Sequence, residues 1–107
     1  MTIKWVVSDP LVMNGEPFCY GTRLTVRNIL ELRRSGYTLP RMLKDHPELR
    51  RMGIAAAYAY AARNRDRYSE FFEADGSLAG PGYSEAEAAD LPEPYRIRGV
   101  VIKPASA

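Results

Sequence analysis

Few side chains in this sequence are equipped for bond-making chemistry. His46 is the single histidine, so any triad would have to run through it. It stands just before Pro47 at the end of a helical pattern, where a capping or turn role suits it better. Asp45 and Glu48 bracket that His-Pro pair, but two carboxylates and one histidine do not define a metal site. Cys19 is the only cysteine, which excludes an intrachain disulfide and a cysteine-rich zinc centre. In its apolar run it reads as a small buried hydrophobe. Gly76, Gly80 and Gly82 lack the Lys-Ser/Thr ending of a phosphate-cradling loop. The expectation is a protein that is not an enzyme, with no metal and no cofactor.

Binding chemistry is better represented. Arg50 and Arg51 stand at the start of a helical pattern, with Arg41 and Lys44 on the helix before it. Arginines at a helix N-terminus oppose the macrodipole at a cost of roughly 0.3–1 kcal/mol. A nearby phosphate reverses that sign, and arginine also reads guanine O6 and N7. These four residues are the candidate DNA contacts; the alternative is a solvated arginine pair beside Glu48. The middle of the same helix, with Ala55, Tyr58, Ala59 and Tyr60, suits packing better than base reading. Sequence-specific recognition would therefore need a homodimer that sums two weak half-site contacts.

The elements that position these residues follow from periodicity. At 107 residues, 46% apolar and 26% charged, the chain has room for one compact core plus a tail. No run approaches about eighteen apolar residues and no basic-then-apolar leader pattern opens it, so no membrane span is expected and the expected compartment is the cytoplasm. Lys4-Trp5-Val6-Val7 and Glu16-Pro17-Phe18-Cys19-Tyr20 predict a small ribbon over residues 3–20, with Asn14-Gly15 in its turn. From Thr25 the period changes to that of a helix. Val26, Ile29 and Leu30 form the apolar stripe, and Arg27, Glu31, Arg33 and Arg34 are assigned to the remaining surface. Thr25 is the expected N-cap and Gly36 the C-terminal stop. Thr38 caps a second helix that tolerates Pro40 in its first turn and ends before Pro47. A third, alanine-rich helix runs from near Arg50 to at least Asn64, with no breaker before Gly76 to prevent extension to Phe72. Three short helices with a tight connection between the second and third match a helix-turn-helix unit.

Residues 1–72 hold twelve Lys/Arg against seven Asp/Glu, whereas residues 73–107 hold three against six. This divides the chain into a basic ribbon-plus-helix domain and an acidic, Gly/Pro-containing tail. Tyr95 to Ile102 predicts one more strand, either joining the ribbon or adding to the sheet of another chain. On the second option Tyr95, Ile97, Val100 and Ile102 are the candidate partner contacts. The expected class is α+β, mainly α.

The segment Asn14-Gly15-Glu16-Pro17-Phe18-Cys19-Tyr20-Gly21-Thr22-Arg23-Leu24-Thr25-Val26 resembles the "GKPVIRGTRIPV" opening of domain-of-unknown-function family 433. Ser35-Gly36-Tyr37-Thr38, Asp45-His46-Pro47-Glu48-Leu49 and Ala56-Ala57-Tyr58-Ala59-Tyr60 fall where that family has further signatures. The similarity spans roughly residues 3–64. It departs from the family pattern at Glu16 and Tyr20, in place of basic residues, at Thr25, in place of proline, and at Arg50, in place of a small hydroxyl. The resemblance implies a homeodomain-like helix-turn-helix behind a β element. It also implies a prokaryotic antitoxin of the VapB type, paired with a PIN-like ribonuclease toxin. A protein-interaction module acting through the Ala/Tyr-rich helix and the tail is the competing expectation. Gly21, Thr22 and Arg23 form the ribbon-to-helix junction. Gly21 supplies backbone freedom and Thr22 a hydroxyl, while Arg23 either ties the ribbon to the helices or faces a phosphate.

Overall fold

The computed structural model describes residues 4–102. The fold is α+β and mainly α, with a two-stranded ribbon at the N-terminal end. Strands β1 (Val6–Val7) and β2 (Phe18–Cys19) pair antiparallel, Val6 opposite Cys19 and Val7 opposite Phe18. So short a ribbon is not stable alone. It lies on the third helix, where the buried Cys19 thiol donates weakly to the Gly53 carbonyl at 3.6 Å. Burial pushes that thiol up from 9.0 to about 12, so it stays protonated and packs as an apolar group.

Helix α1 (Val26–Arg34) starts where expected. The Thr25 hydroxyl accepts from the Asn28 N–H at 3.0 Å, and the Asn28 side chain accepts from the Thr25 N–H at 3.0 Å. Such a reciprocal cap is worth about 1 kcal/mol. At the other end Gly36, with φ of +100°, lets the Tyr37 N–H return to the Leu32 carbonyl and close the helix. Helix α2 (Leu39–Asp45) carries the Thr38 cap, and one 3-10 turn at Pro47–Leu49 leads into α3 (Arg50–Arg63). The continuation of α3 to Phe72 does not occur. Asn64 leaves helical geometry at φ −130°, and its side chain donates to the Tyr60 carbonyl, replacing the next backbone donor.

Helix α3 is the centre of the molecule. Gly53 to Ala59 and Ala61 are all buried, so the helix has no solvent face between its first turn and its last. Alanine and glycine make this possible by letting neighbours approach its backbone from every side. The ribbon, α1, α2 and the C-terminal segment all pack on it.

The segment after residue 73 supplies that last wall. Leu78, Tyr83, Ala88, Leu91, Val101 and Ile102 are buried in the same hydrophobic cluster as Val26, Ile29, Met42 and Ile54. The acidic stretch forms one short helix, α4 (Glu85–Ala88), capped by Ser84 and Glu87. The strand expected over residues 95–102 is not there. A 3-10 turn spans Glu93–Tyr95, and the Ile97 carbonyl then accepts from the N–H groups of Val100, Val101 and Ile102. With Gly99 at φ +80°, the chain coils around one acceptor and makes only isolated bridges, from Ile102 to Tyr83 and to Arg98. The segment neither extends the ribbon nor leaves an edge free.

Its anchor is Arg33 of α1, which the helical pattern assigned to the surface and which is 0% exposed. Its guanidinium donates to the carbonyls of Ala79 (3.2 Å), Leu78 (3.2 Å), Val100 (3.3 Å) and Val101 (3.5 Å), and lies 4.6 Å above the Tyr58 ring. Desolvation lowers its pKa, while Tyr58 and Tyr83 beside it act the other way.

Burial pushes Tyr58 from 10.0 up to about 12 and Tyr83 well above 10.0. Both phenols therefore hold their protons in the folded state at pH values where the unfolded chain releases them. The share of stability tied to these phenols should be full below pH 10 and decline from there through about 12, by about 1.4 kcal/mol per pH unit for each such group, after the raised Cys19 thiol starts the decline near pH 9.0. The Tyr83 hydroxyl is buried without a hydrogen-bond partner among the described residues. Tyr83→Phe should thus leave stability at neutral pH nearly unchanged and make the alkaline decline shallower. Urea unfolding followed from pH 7 to pH 12 checks both statements.

Candidate nucleic-acid and partner interface

The strand-to-helix junction is a tight corner built by Thr22. Its N–H and its hydroxyl both donate to the Cys19 carbonyl, at 3.0 and 2.9 Å, and the hydroxyl accepts from the Leu24 N–H at 3.0 Å. Gly21 turns the chain at φ +79°. The residue that ties the ribbon down is therefore Thr22. Arg23 is exposed, and among the described residues no hydrogen bond or ion pair involves it.

The four candidate DNA contacts are all exposed and surround the connection from α2 to α3, but their surroundings differ. Arg41 lies over the Tyr37 ring at 4.4 Å and 3.8 Å from Asp45. Arg51 pairs with Asp90 of the C-terminal segment at 3.3 Å. Lys44 and Arg50 have no carboxylate partner among the described residues. Arg50 also has a strained backbone, with φ of +61° and ψ of 154°, a region that glycine alone occupies freely.

The fold brings two of the expected groups together. Trp5, Tyr20, Gly21, Glu48 and Arg50 line one cavity of about 190 Å³ between the ribbon and the start of α3. A neighbouring, more open groove shares Gly21 and Glu48 and adds Val12, Met13, Phe18, Thr22 and Arg23. The corner residues and Arg50, far apart in sequence, thus border one surface. Leu11, Val12 and Tyr20, the large hydrophobic side chains most exposed to solvent, all sit in this ribbon region, at 94%, 36% and 60% exposure. From the sequence Trp5 reads only as part of a strand and Tyr20 as a strand residue that departs from the family pattern, although two aromatics at the ends of predicted strands are a signal.

The candidate partner contacts are occupied within the chain itself. Ile102 is buried, and Tyr95, Ile97 and Val100 are packed against the core. In place of the expected strand, which was to join the ribbon or to pair with another chain, a coil at Ile97 packs these residues on the core. Among the described residues, no group of three or more His, Cys, Asp or Glu is placed to hold a metal ion. Nor is any helix long and apolar enough to cross a membrane.

No curated protein and no solved structure matches the chain. A family model does match residues 6–61, a stretch that contains the ribbon, the Thr22 corner, α1, α2 and nearly all of α3. On that match, the chain belongs to the family described as "Protein of unknown function (DUF433)".

Proposed function

We propose that this protein is a non-catalytic, cytoplasmic DNA-binding regulator of the antitoxin type, paired with a PIN-like ribonuclease and acting as a homodimer. The observation that carries the DNA part is the pair Lys44 and Arg50. These exposed cations flank the α2–α3 turn and form no ion pair among the described residues, whereas Arg27, Arg51 and Arg67 are paired with Glu70, Asp90 and Glu16. With α3 buried beyond its first turn, contact falls mainly on phosphates, and a dimer is needed for sequence preference. Binding to duplex DNA from upstream of its gene should weaken steeply with salt. Lys44→Ala with Arg50→Gly should lower the salt-dependence slope by about two, one for each lost phosphate contact. Arg50→Gly also relieves backbone strain of roughly 1–3 kcal/mol, so weaker binding by a variant at least as stable separates contact from folding. Retardation unchanged by the double variant would overturn the reading.

A second reading, an adaptor that works only through protein contacts, is favoured by the exposed Leu11, Val12 and Tyr20. It moves the contact surface from the C-terminal segment and the Ala/Tyr-rich helix to the ribbon. Leu11→Asp abolishing toxin capture while DNA retardation persists would support it.

A further inference from the structure

We infer that the cavity between the ribbon and the start of α3 takes an unpaired nucleobase, stacked by Trp5 and Tyr20, with its phosphate on Arg50. The inference rests on the nucleic-acid reading above and specifies what that surface recognises.

The ribbon register puts the two aromatic residues together. Val6 stands opposite Cys19, and just beyond that pair the Tyr20 N–H donates to the Trp5 carbonyl at 2.8 Å. Both residues line the cavity. Trp5 is held from behind by α3, where a Cβ on Gly53 would lie 3.9 Å from its ring. Tyr20 is 60% exposed, an unusual state for a large aromatic beside a cavity.

Size and polarity narrow the ligand. At about 190 Å³ the cavity is smaller than the roughly 300–1,000 Å³ typical of drug or cofactor sites, and suits one flat ring system. Aromatic side chains that line such a cavity stack a base without regard to sequence. The Glu48 carboxylate accepts from an exocyclic amine, which adenine, cytosine and guanine carry and thymine does not. Arg50 supplies a cation for the attached phosphate. A base inside a duplex is already stacked and paired, so the pocket selects unpaired nucleotides.

Trp5 is the only tryptophan, so its fluorescence reports on this pocket directly. At low salt, oligo(dA) and oligo(dC) should quench it at lower concentrations than oligo(dT), and a blunt duplex should not quench it. Tyr20→Ala, at an exposed position with folding checked by circular dichroism, should weaken the effect about tenfold to a hundredfold. Glu48→Ala should erase the difference between oligo(dA) and oligo(dT). AMP binding as tightly as oligo(dA) would support the base pocket and assign it to free nucleotides; weaker AMP binding assigns it to strands. Absence of quenching by every probe, or quenching that survives Tyr20→Ala unchanged, would overturn the inference. Duplex retardation that persists in that case leaves the regulatory reading standing, whereas quenching without retardation removes duplex regulation and keeps the pocket.

Discussion

Replacing Arg33 by alanine is expected to lower the unfolding free energy by about 2–5 kcal/mol, because buried carbonyls lose a charged donor at about 1–3 kcal/mol each and a large buried side chain leaves a cavity. The carbonyls of Leu78 and Ala79 find their donor in this guanidinium, and both lie in the wall over α3. Those of Val100 and Val101 also accept from the N–H groups of Leu78 and Tyr83, so they lose less. Alanine would leave unsatisfied carbonyls and a cavity against Tyr58 at the same time. Arg33→Lys should recover only part of the loss, because one ammonium does not reproduce a planar fork spread over several acceptors. Room for the fork is provided by glycines: a Cβ at Gly80 would collide with the Arg33 carbonyl, and one at Gly82 would come within 2.5 Å of the Val101 carbonyl. Gly80→Ala should therefore destabilise the same contact from the other side. Urea unfolding measures all three variants, and a loss below about 1 kcal/mol for Arg33→Ala would remove its anchoring role.

Local chemistry explains which parts of this arrangement were legible in the sequence. Thr25, Thr38 and Gly36 do their work within four residues, so composition and spacing placed α1 and α2 closely. Arg33 was misassigned because arginine on a helix usually faces water. Yet it falls seven residues after Val26 and four after Ile29, on the apolar stripe itself, and that position was the available signal. The C-terminal segment was harder to read. Leu78, Tyr83, Leu91, Val101 and Ile102 are scattered through acidic, Gly/Pro-rich sequence with no period, and their burial depends on α1 and α3, which are distant in sequence. The candidate site shows the same division. The Gly21 turn and the Arg50 cation were each visible locally, whereas the cavity they share exists only because the ribbon lies across the start of α3. The α3 body, read as a packing helix from its alanines and tyrosines, is buried as that composition implies.

Ending the chain at Glu73 should abolish cooperative folding. The deletion removes six buried side chains, Leu78, Tyr83, Ala88, Leu91, Val101 and Ile102, from a core they share with α1, α2 and α3. At about 1.5–3 kcal/mol for each large apolar side chain, the lost burial equals or exceeds the roughly 5–15 kcal/mol by which a domain of this kind is stable. It also strips the Arg33 guanidinium of its acceptors and exposes one side of α3 to water. The shortened chain should show helical far-ultraviolet dichroism without fixed aromatic signals, bind a hydrophobic dye, and lose its urea transition. A sharp two-state transition within about 2 kcal/mol of the full-length protein would instead establish residues 1–73 as a folding unit. The expected result changes how function must be probed, since failure of the deletion to bind DNA or a toxin would report unfolding. Asp90→Asn, which releases Arg51 from its exposed pairing with the C-terminal segment, tests that segment's influence on DNA binding with the core intact. Freed from that carboxylate, Arg51 should strengthen binding modestly and steepen its salt dependence, so an acidic segment that completes the core also tempers the charge of the surface beside it.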